Sequence, residues 1–381
     1  MRFIHLSDLH IGKRVNEFSM LEEQEYILGK ILNIIDDENV DCVIIAGDVY
    51  DKSVPSAEAV QVFDKFLYNI SKRDIKVFVI SGNHDSAERI AFGSNIMDKS
   101  GVYMSPVYDG NIKSVKLQDK YGNINVFMIP FIKPAHVRRY FENKNIETYT
   151  DMMRAVIGTI DTYFKERNII ITHQFVTGAT RCESEEISVG GSDNIDADVF
   201  ENFDYVALGH IHGPQYISRE TIRYCGTPLK YSFSEIRHNK SVTVVDMNEK
   251  GNISIKKVPL TPKRDMREIR GNFEDITRKE YYEKINRNDY MHIILTDEND
   301  VNDAIGKLRV IYPNIMKLDY DNKRTRSEFT LEALEDVKDR NPVDLFSEFY
   351  ESQNGQTMSD EQREFILKLT EEIWGDILWD L

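Results

Sequence analysis

The chain has 381 residues, 41% of them hydrophobic, which suits two or three domains with a sizeable core. No apolar stretch reaches the roughly 18–20 residues that span a bilayer, and the first residues run straight into a polar motif, so neither a membrane segment nor a cleavable signal is expected. The formal charge of −16 weighs against a surface that coats nucleic acid, but residues 331–381 carry 14 acidic and 4 basic side chains and hold −10 of it.

The first strand signal, Phe3-Ile4-His5-Leu6, ends in Ser7-Asp8-Leu9-His10. The apolar run Cys42–Ala46 ends in Gly47-Asp48-Val49-Tyr50-Asp51. A helix is expected from Ser56 to Ile70, with Ala59, Val60, Phe63, Phe66, Leu67 and Ile70 on one face. Val77–Ile80 then leads to Gly82-Asn83-His84-Asp85. Ile169–Ile171 leads to Thr172-His173-Gln174, and Tyr205–Leu208 leads to Gly209-His210-Ile211-His212. Such short, near-continuous apolar runs are typical of strands buried on both faces. The alternation of strand, polar loop and helix gives an α/β class for residues 1–260. In that class ligands bind outside the carboxyl ends of strands. Three later strands, Ile222–Cys225, Val242–Val245 and Ile253–Leu260, look antiparallel.

Thr261-Pro262-Lys263-Arg264 opens a linker, residues 261–271. Residues 272–325 read as a small α+β cap, with strands at His292–Leu295 and Ile315–Leu318 around a helix from Val301 to Val310. Residues 331–381 read as a pair of amphipathic helices. Asn341-Pro342 starts the first, whose stripe is Leu345, Phe346, Phe349 and Tyr350. Ser359 and Gln362 fit a capping box for the second, lined by Phe365, Ile366, Leu369, Ile373, Trp374 and Ile377. Two such helices bury little by themselves and need a body or a partner to pack on.

The five motifs supply Asp, Asn and His, the donors preferred by hard divalent ions, and no cysteine. Cys42, Cys182 and Cys225 lack metal-ligand spacing and fit a reducing cytoplasm. The natural division gives one ion Asp8, His10, Asp48 and His212, and a second ion Asp48, Asn83, His173 and His210. Asp48 would bridge them. Two metals about 3.5–4 Å apart are a standard device for hydrolysing phosphate esters. His84 is left over and should point towards the scissile phosphate or the leaving oxygen, oriented by Asp51 or Asp85. Each motif alone has a bland reading: Gly-Asp as a turn, Gly-Asn-His-Asp as an Asx-turn, His173 as a core histidine. Five in order at strand ends are hard to explain that way. His5, His136, His238 and His292 lack such context and read as structural or surface residues. Lys13-Arg14, Arg138-Arg139 and Lys323–Arg326 are candidate phosphate contacts, though such pairs are more often solvated.

Asp-x-His, Gly-Asp, Gly-Asn-His-Asp, a lone His and Gly-His-x-His together resemble the calcineurin-like metallophosphoesterase superfamily. Ser7–Gly12, Ala46–Asp51, Cys182–Gly191, Tyr205–Pro214 and Gly226–Glu235 further resemble its SbcD family of bacterial nuclease subunits. The resemblance implies a metallophosphoesterase-type β-sandwich flanked by helices, with the cap and helix pair appended. It implies two divalent ions, Mn²⁺ ahead of Mg²⁺, and 3′→5′ exonuclease activity on duplex DNA with endonuclease activity on hairpins. It also implies roles in DNA repair, recombination and replication. The expected partner is an SbcC-type ATPase, bound through the C-terminal helices of a homodimer within a heterotetramer. The dimer would form through helices near Ser86–Lys99. Asp51 stands where archaeal relatives tend to place a histidine, and no histidine lies near Glu17. Two other readings compete: a metallophosphoesterase acting on small phosphodiesters or phosphoproteins, and a scaffold with a dead site. The first has no use for the 120 residues after the catalytic domain, and the second should lack ligands.

Overall fold

A computed structural model describes residues 1–160, 165–182, 185, 193–322, 325, 342–354 and 357–374. The chain divides into two compact units, Met1–Met266 and Arg267–Leu381.

The first unit contains two six-stranded sheets. One has the order Ile253–Pro259, Ser241–Met247, Arg2–Leu6, Cys42–Ala46, Lys76–Ile80 and Val102–Met104. Its last four strands are parallel and the first two are antiparallel additions. The other has the order Gln215–Ile217, Arg219–Tyr224, Tyr205–Gly209, Arg167–His173, Gly122–Ile129 and Lys113–Asp119. All five residues of Cys42–Ala46 are buried, as are all five of Tyr205–Gly209. Alternate residues therefore serve two cores. Cys42, Ile44, Ala46, Phe78 and Ile80 meet Ile169, Ile171, Tyr205 and Ala207 between the sheets. Ile170, Val206 and Leu208 face outward onto Met152, Met153 and Val156 of the helix Tyr149–Ile157. The unit is a β-sandwich with helices outside it, as expected of the α/β reading.

The expected helix at Ser56–Ile70 runs Ala57–Ser71, and the Ser56 hydroxyl accepts the Ala59 N–H as N-cap. Val60 is exposed and does not share the buried stripe. One strand departs from expectation. Arg219–Tyr224 pairs parallel with Tyr205–Gly209 and antiparallel only with Gln215–Ile217. A hairpin beside the Gly-His-x-His motif turns the chain, and local residue pattern does not reveal that turn.

In the second unit the sheet order is Met266–Gly271, Tyr290–Leu295 and Ile315–Tyr320, with the last two strands parallel. Met266–Gly271 falls in the expected linker, yet it is a strand. Arg267, Glu268 and Arg270 mask its two buried residues, Met266 and Ile269. Ile269, Met291, Ile293, Leu308, Tyr312 and Ile315 form this unit's core, with Leu308 supplied by the helix Ala304–Arg309.

The C-terminal helices are Pro342–Asn354 and Asp360–Trp374. The capping box is present: the Ser359 N–H donates to Gln362 Oε1 at 2.9 Å and the Gln362 N–H to Ser359 Oγ at 3.3 Å. Phe346, Phe349, Phe365 and Leu369 are exposed. Asn341 and Ile377 lie outside the described residues. No described helix is long and apolar enough to cross a membrane.

Candidate active site

The five motif loops leave the same end of the two sheets and are hydrogen-bonded to one another. The Asp8 N–H donates to Gly47 O at 3.0 Å, His10 to Asp48 O at 3.0 Å and Ile11 to Val49 O at 2.9 Å. Asp85 accepts from the N–H groups of Gly82, Val49 and Tyr50 at 2.9–3.0 Å, clamping the third loop onto the second. Asp8, His10, Asp48 and His210 have φ values of 52°, 45°, 48° and 103°. L-residues enter that region at a cost and stay only where the surroundings dictate it. The glycines before the ligands permit the crowding. A Cβ at Gly82 would overlap the Asp48 carboxylate, and one at Gly209 would overlap the Ala46 carbonyl.

The seven side chains singled out as metal ligands converge. His10 Nε2 lies 3.2 Å from His212 Nε2, and Asp8 groups with both. On the other side, Asn83 Oδ1 is 3.0 Å from both His173 Nε2 and His210 Nδ1. Asp48 Oδ2 stands between the groups, 3.7 Å from His10 Nε2 and 3.3 Å from His173 Nε2. Ligand atoms about 2.1 Å from one small divalent ion stand about 3 Å apart when they subtend a right angle. The observed spacings fit that requirement, and the donor set of carboxylate, amide oxygen and imidazole suits Mn²⁺ or Mg²⁺.

His84 belongs to the same cluster but is oriented by main chain. Its N–H donates to Asp48 Oδ1 at 2.9 Å, and its Nδ1 is 3.1 Å from the Asp51 carbonyl. The Asp51 carboxylate instead pairs with Lys13 at 2.7 Å. Thus Asp51 reaches His84 through its backbone, and Asp85 is spent on the loop clamp.

A supporting ring of residues has no assignment from sequence. His212 Nδ1 is 3.2 Å from Glu235 Oε1, its N–H donates to Glu185 at 2.6 Å, and Lys240 pairs with Glu235 at 2.5 Å. His173 Nδ1 is 2.8 Å from Ala46 O. Gln24 donates to His10 O at 2.7 Å, and Tyr231 to Leu9 O at 2.5 Å. Outer partners of this kind fix the tautomer and direction of a ligating imidazole. Gly226–Glu235 and Cys182–Gly191 stand out in the sequence, and they supply Glu235, Tyr231 and Glu185. Gln24 and Lys240 have no local signal.

The buried charges are held in opposed states. Burial raises Asp8 to about 6. Burial also acts to raise Asp48, but His173 and its neighbouring imidazoles draw that carboxylate well below the usual range. Desolvation acts to lower His173, but the Asp48 carboxylate outweighs it and lifts the imidazole to about 9. Desolvation acts on His212 in the same sense, and hydrogen bonds with Cys182 and Glu235 lift it to about 10. Burial lowers His10, and lowers His210 to about 3. Asp48 thus favours the protonated form of His173, and Glu235, which also pairs with Lys240, favours that of His212. A divalent cation on these imidazoles would compete with protons, which couples metal affinity to pH.

Of the other histidines, His5 is buried with Tyr205 Oη at 3.1 Å, and His292 lies 2.8 Å from Asp319. Arg138 is tied to the Ile146 carbonyl. Lys323, Arg324 and Arg326 lie outside the described residues.

Residues 1–214 match the calcineurin-like phosphoesterase family, and residues 262–354 match the family described as type 5 capsule protein repressor C-terminal domain. The SbcD subunit of the nuclease SbcCD from Staphylococcus epidermidis is 31% identical over 376 residues, covering 97% of this chain and 98% of that one. Its counterpart in Staphylococcus saprophyticus is 32% identical over 379 residues, covering 97% of each. Among solved structures, a dimetal phosphatase from Danio rerio covers 68% of this chain and 98% of its own, with a TM-score of 0.42 and 11% identity. The chain carries a hydrolase fold for phosphodiester bonds, its family works with divalent metals, and it belongs to the calcineurin-like metallophosphoesterases and, within them, to the SbcD nuclease subunits.

Proposed function

We propose that the protein is a Mn²⁺-dependent DNA nuclease that trims duplex ends 3′→5′ and opens hairpins. It would act with an SbcC-type ATPase in cytoplasmic DNA repair, recombination and replication. The observation that carries the reading is the position of Asp48 Oδ2 between two separate groups of ligand atoms. Asp8, His10, Asp48 and His212 would hold one ion, and Asp48, Asn83, His173 and His210 the other. When bound, such a pair supplies a nucleophilic water at neutral pH and Lewis-acid stabilisation of the phosphate. The chain's own residues do the rest. Glu235 fixes the His212 ring so that Nε2 faces the site, and the Ala46 carbonyl does the same for His173. His84 is held by Asp51 O and stabilises or protonates the leaving oxygen, with Asp51 acting as its positioning residue.

Partner binding falls to the helices Pro342–Asn354 and Asp360–Trp374. Phe346 and Phe365 line an apolar groove between them. Homodimer formation falls to the segment Ser86–Lys99, where Phe92 and Ile96 are 84% and 77% exposed. The test is digestion of end-labelled duplex and hairpin DNA with Mn²⁺ or Mg²⁺, with and without the ATPase and ATP, beside a p-nitrophenyl phosphodiester. Turnover of the small diester with intact DNA in every arm would refute the nuclease reading.

A further inference from the structure

A groove of about 480 Å³ opens beside Asn83. Its floor is the Gly82–Ser86 loop, and its far wall is the segment that follows the strand Gly122–Ile129. Phe131 lies at the near end, its ring centroid 6.3 Å from that of His173. Lys133, His136 and Arg139 line the rest.

Three observations give the groove a chemical preference. First, Lys133 and Arg139 are exposed and, among the described residues, neither has a carboxylate partner. Aromatic rings hold them without cancelling their charge. Lys133 Nζ stands 5.7 Å over the Phe131 ring, and the Arg139 guanidinium stands 4.8 Å over Tyr140. Both cations line the same groove as the ligand residue Asn83. Second, the Lys133 N–H donates to His136 Nδ1 at 3.4 Å, which leaves the other ring nitrogen of His136 for a further partner. Third, the Tyr108 hydroxyl in the groove wall is buried and has no hydrogen-bond partner among the described residues. Two carboxylates also line the groove, on the Gly82–Ser86 side and the helix that follows it, so the cationic wall is the Lys133–Arg139 side. Asp85 accepts the loop N–H groups described above, and Glu88 accepts the Ser86 hydroxyl at 2.8 Å.

We propose that this groove binds the sugar–phosphate backbone of the cut strand one nucleotide beyond the scissile phosphate, with Lys133 and Arg139 on that phosphate. The inference rests on the nuclease reading and adds a substrate subsite on the Asn83 side. The cations act on the backbone, so the subsite is indifferent to base sequence.

The test uses the full chain with Mn²⁺ and a phosphorothioate single-stranded oligonucleotide, which resists hydrolysis, followed by fluorescence anisotropy over a range of salt. Each phosphate contact on a single strand contributes about −0.7 to the slope of log K against log salt. Lys133→Met and Arg139→Met should each flatten the slope by about that amount, and should raise KM for cleavable DNA more than they lower kcat. Lys120→Met is the control. It sits in the turn Asp119–Gly122, at the opposite end of the strand that leads to Phe131, and should change nothing. All three side chains are exposed, and unchanged thermal midpoints would exclude a folding effect. Unchanged slopes in Lys133→Met and Arg139→Met, or an equal loss in Lys120→Met, would overturn the subsite while leaving the nuclease reading intact. A loss of affinity confined to an oligoglutamate peptide would assign the groove to acidic protein instead. Failure of the unmodified protein to bind or cut DNA would overturn both.

Discussion

The ligand cluster and the C-terminal helix pair invert the usual placement of side chains in opposite ways. At the cluster, polar and charged side chains are withdrawn from water: Asp8, His173 and Glu235 are fully buried. In the helix pair, large apolar side chains are left in water: Phe365 is 65% exposed and Phe349 47%. Each arrangement is unfavourable unless something else arrives. Buried ligands need cations to balance them, and exposed aromatic stripes need an apolar surface to cover them.

Asp48→Ala should do the most damage. It removes the oxygen between both ligand groups, so activity should fall by orders of magnitude and metal analysis should find fewer than two ions. Two tightly held Mn²⁺ in that variant would refute the bridging assignment. His84→Ala should behave differently. Its ring is held by Asp51 O and belongs to neither proposed ligand set, so turnover should drop about 10²–10⁴-fold while both ions stay bound. Loss of metal, or normal cutting, would contradict that role. Glu235→Gln is milder and probes the buried charge directly. It keeps the shape but removes the charge that holds His212, and should cost about 10–100-fold in metal affinity. Calorimetric titration with Mn²⁺ checks it, and an unchanged isotherm would reduce Glu235 to a structural ion pair with Lys240.

The helix pair should matter least to cleavage itself. Phe346→Glu with Phe365→Glu places charge in both stripes and should abolish co-purification with the ATPase while the isolated protein still cuts. An insoluble or inactive double variant would show that these side chains belong to the protein's own core.

The ligand cluster was legible because each motif is local. A buried run and a ligand lie within about ten residues, with a glycine between them in three of the five motifs, and the sheet end brings the loops together. The supporting ring was not legible in the same way. Gln24 reaches His10 from a helix, and Lys240 reaches Glu235 from beyond the last motif. Nothing in their neighbourhoods announces such contacts. The role given to the Asp51 side chain shows a different limit. Sequence placed the residue beside His84 but did not distinguish its carbonyl from its carboxylate, and Lys13 takes the carboxylate. The strand Met266–Gly271 was hidden by its own charges, and the direction of Arg219–Tyr224 depends on a hairpin that residue pattern does not encode.

The Asp85 clamp has a consequence for loop spacing. One carboxylate receives N–H groups from Gly82, Val49 and Tyr50, so two motifs separated by a whole helix are a single geometric unit. The intervening helix Ala57–Ser71 makes none of these three bonds and is held instead by its buried face, Ala59, Phe63, Phe66, Leu67 and Ile70. An insertion in Gly47–Tyr50 or Gly82–Asp85 would pull Asp85 away from the donors on the other loop and shift Asp48 relative to Asn83. The clamp therefore makes the spacing inside each of these two motifs a geometric requirement of the ligand cluster.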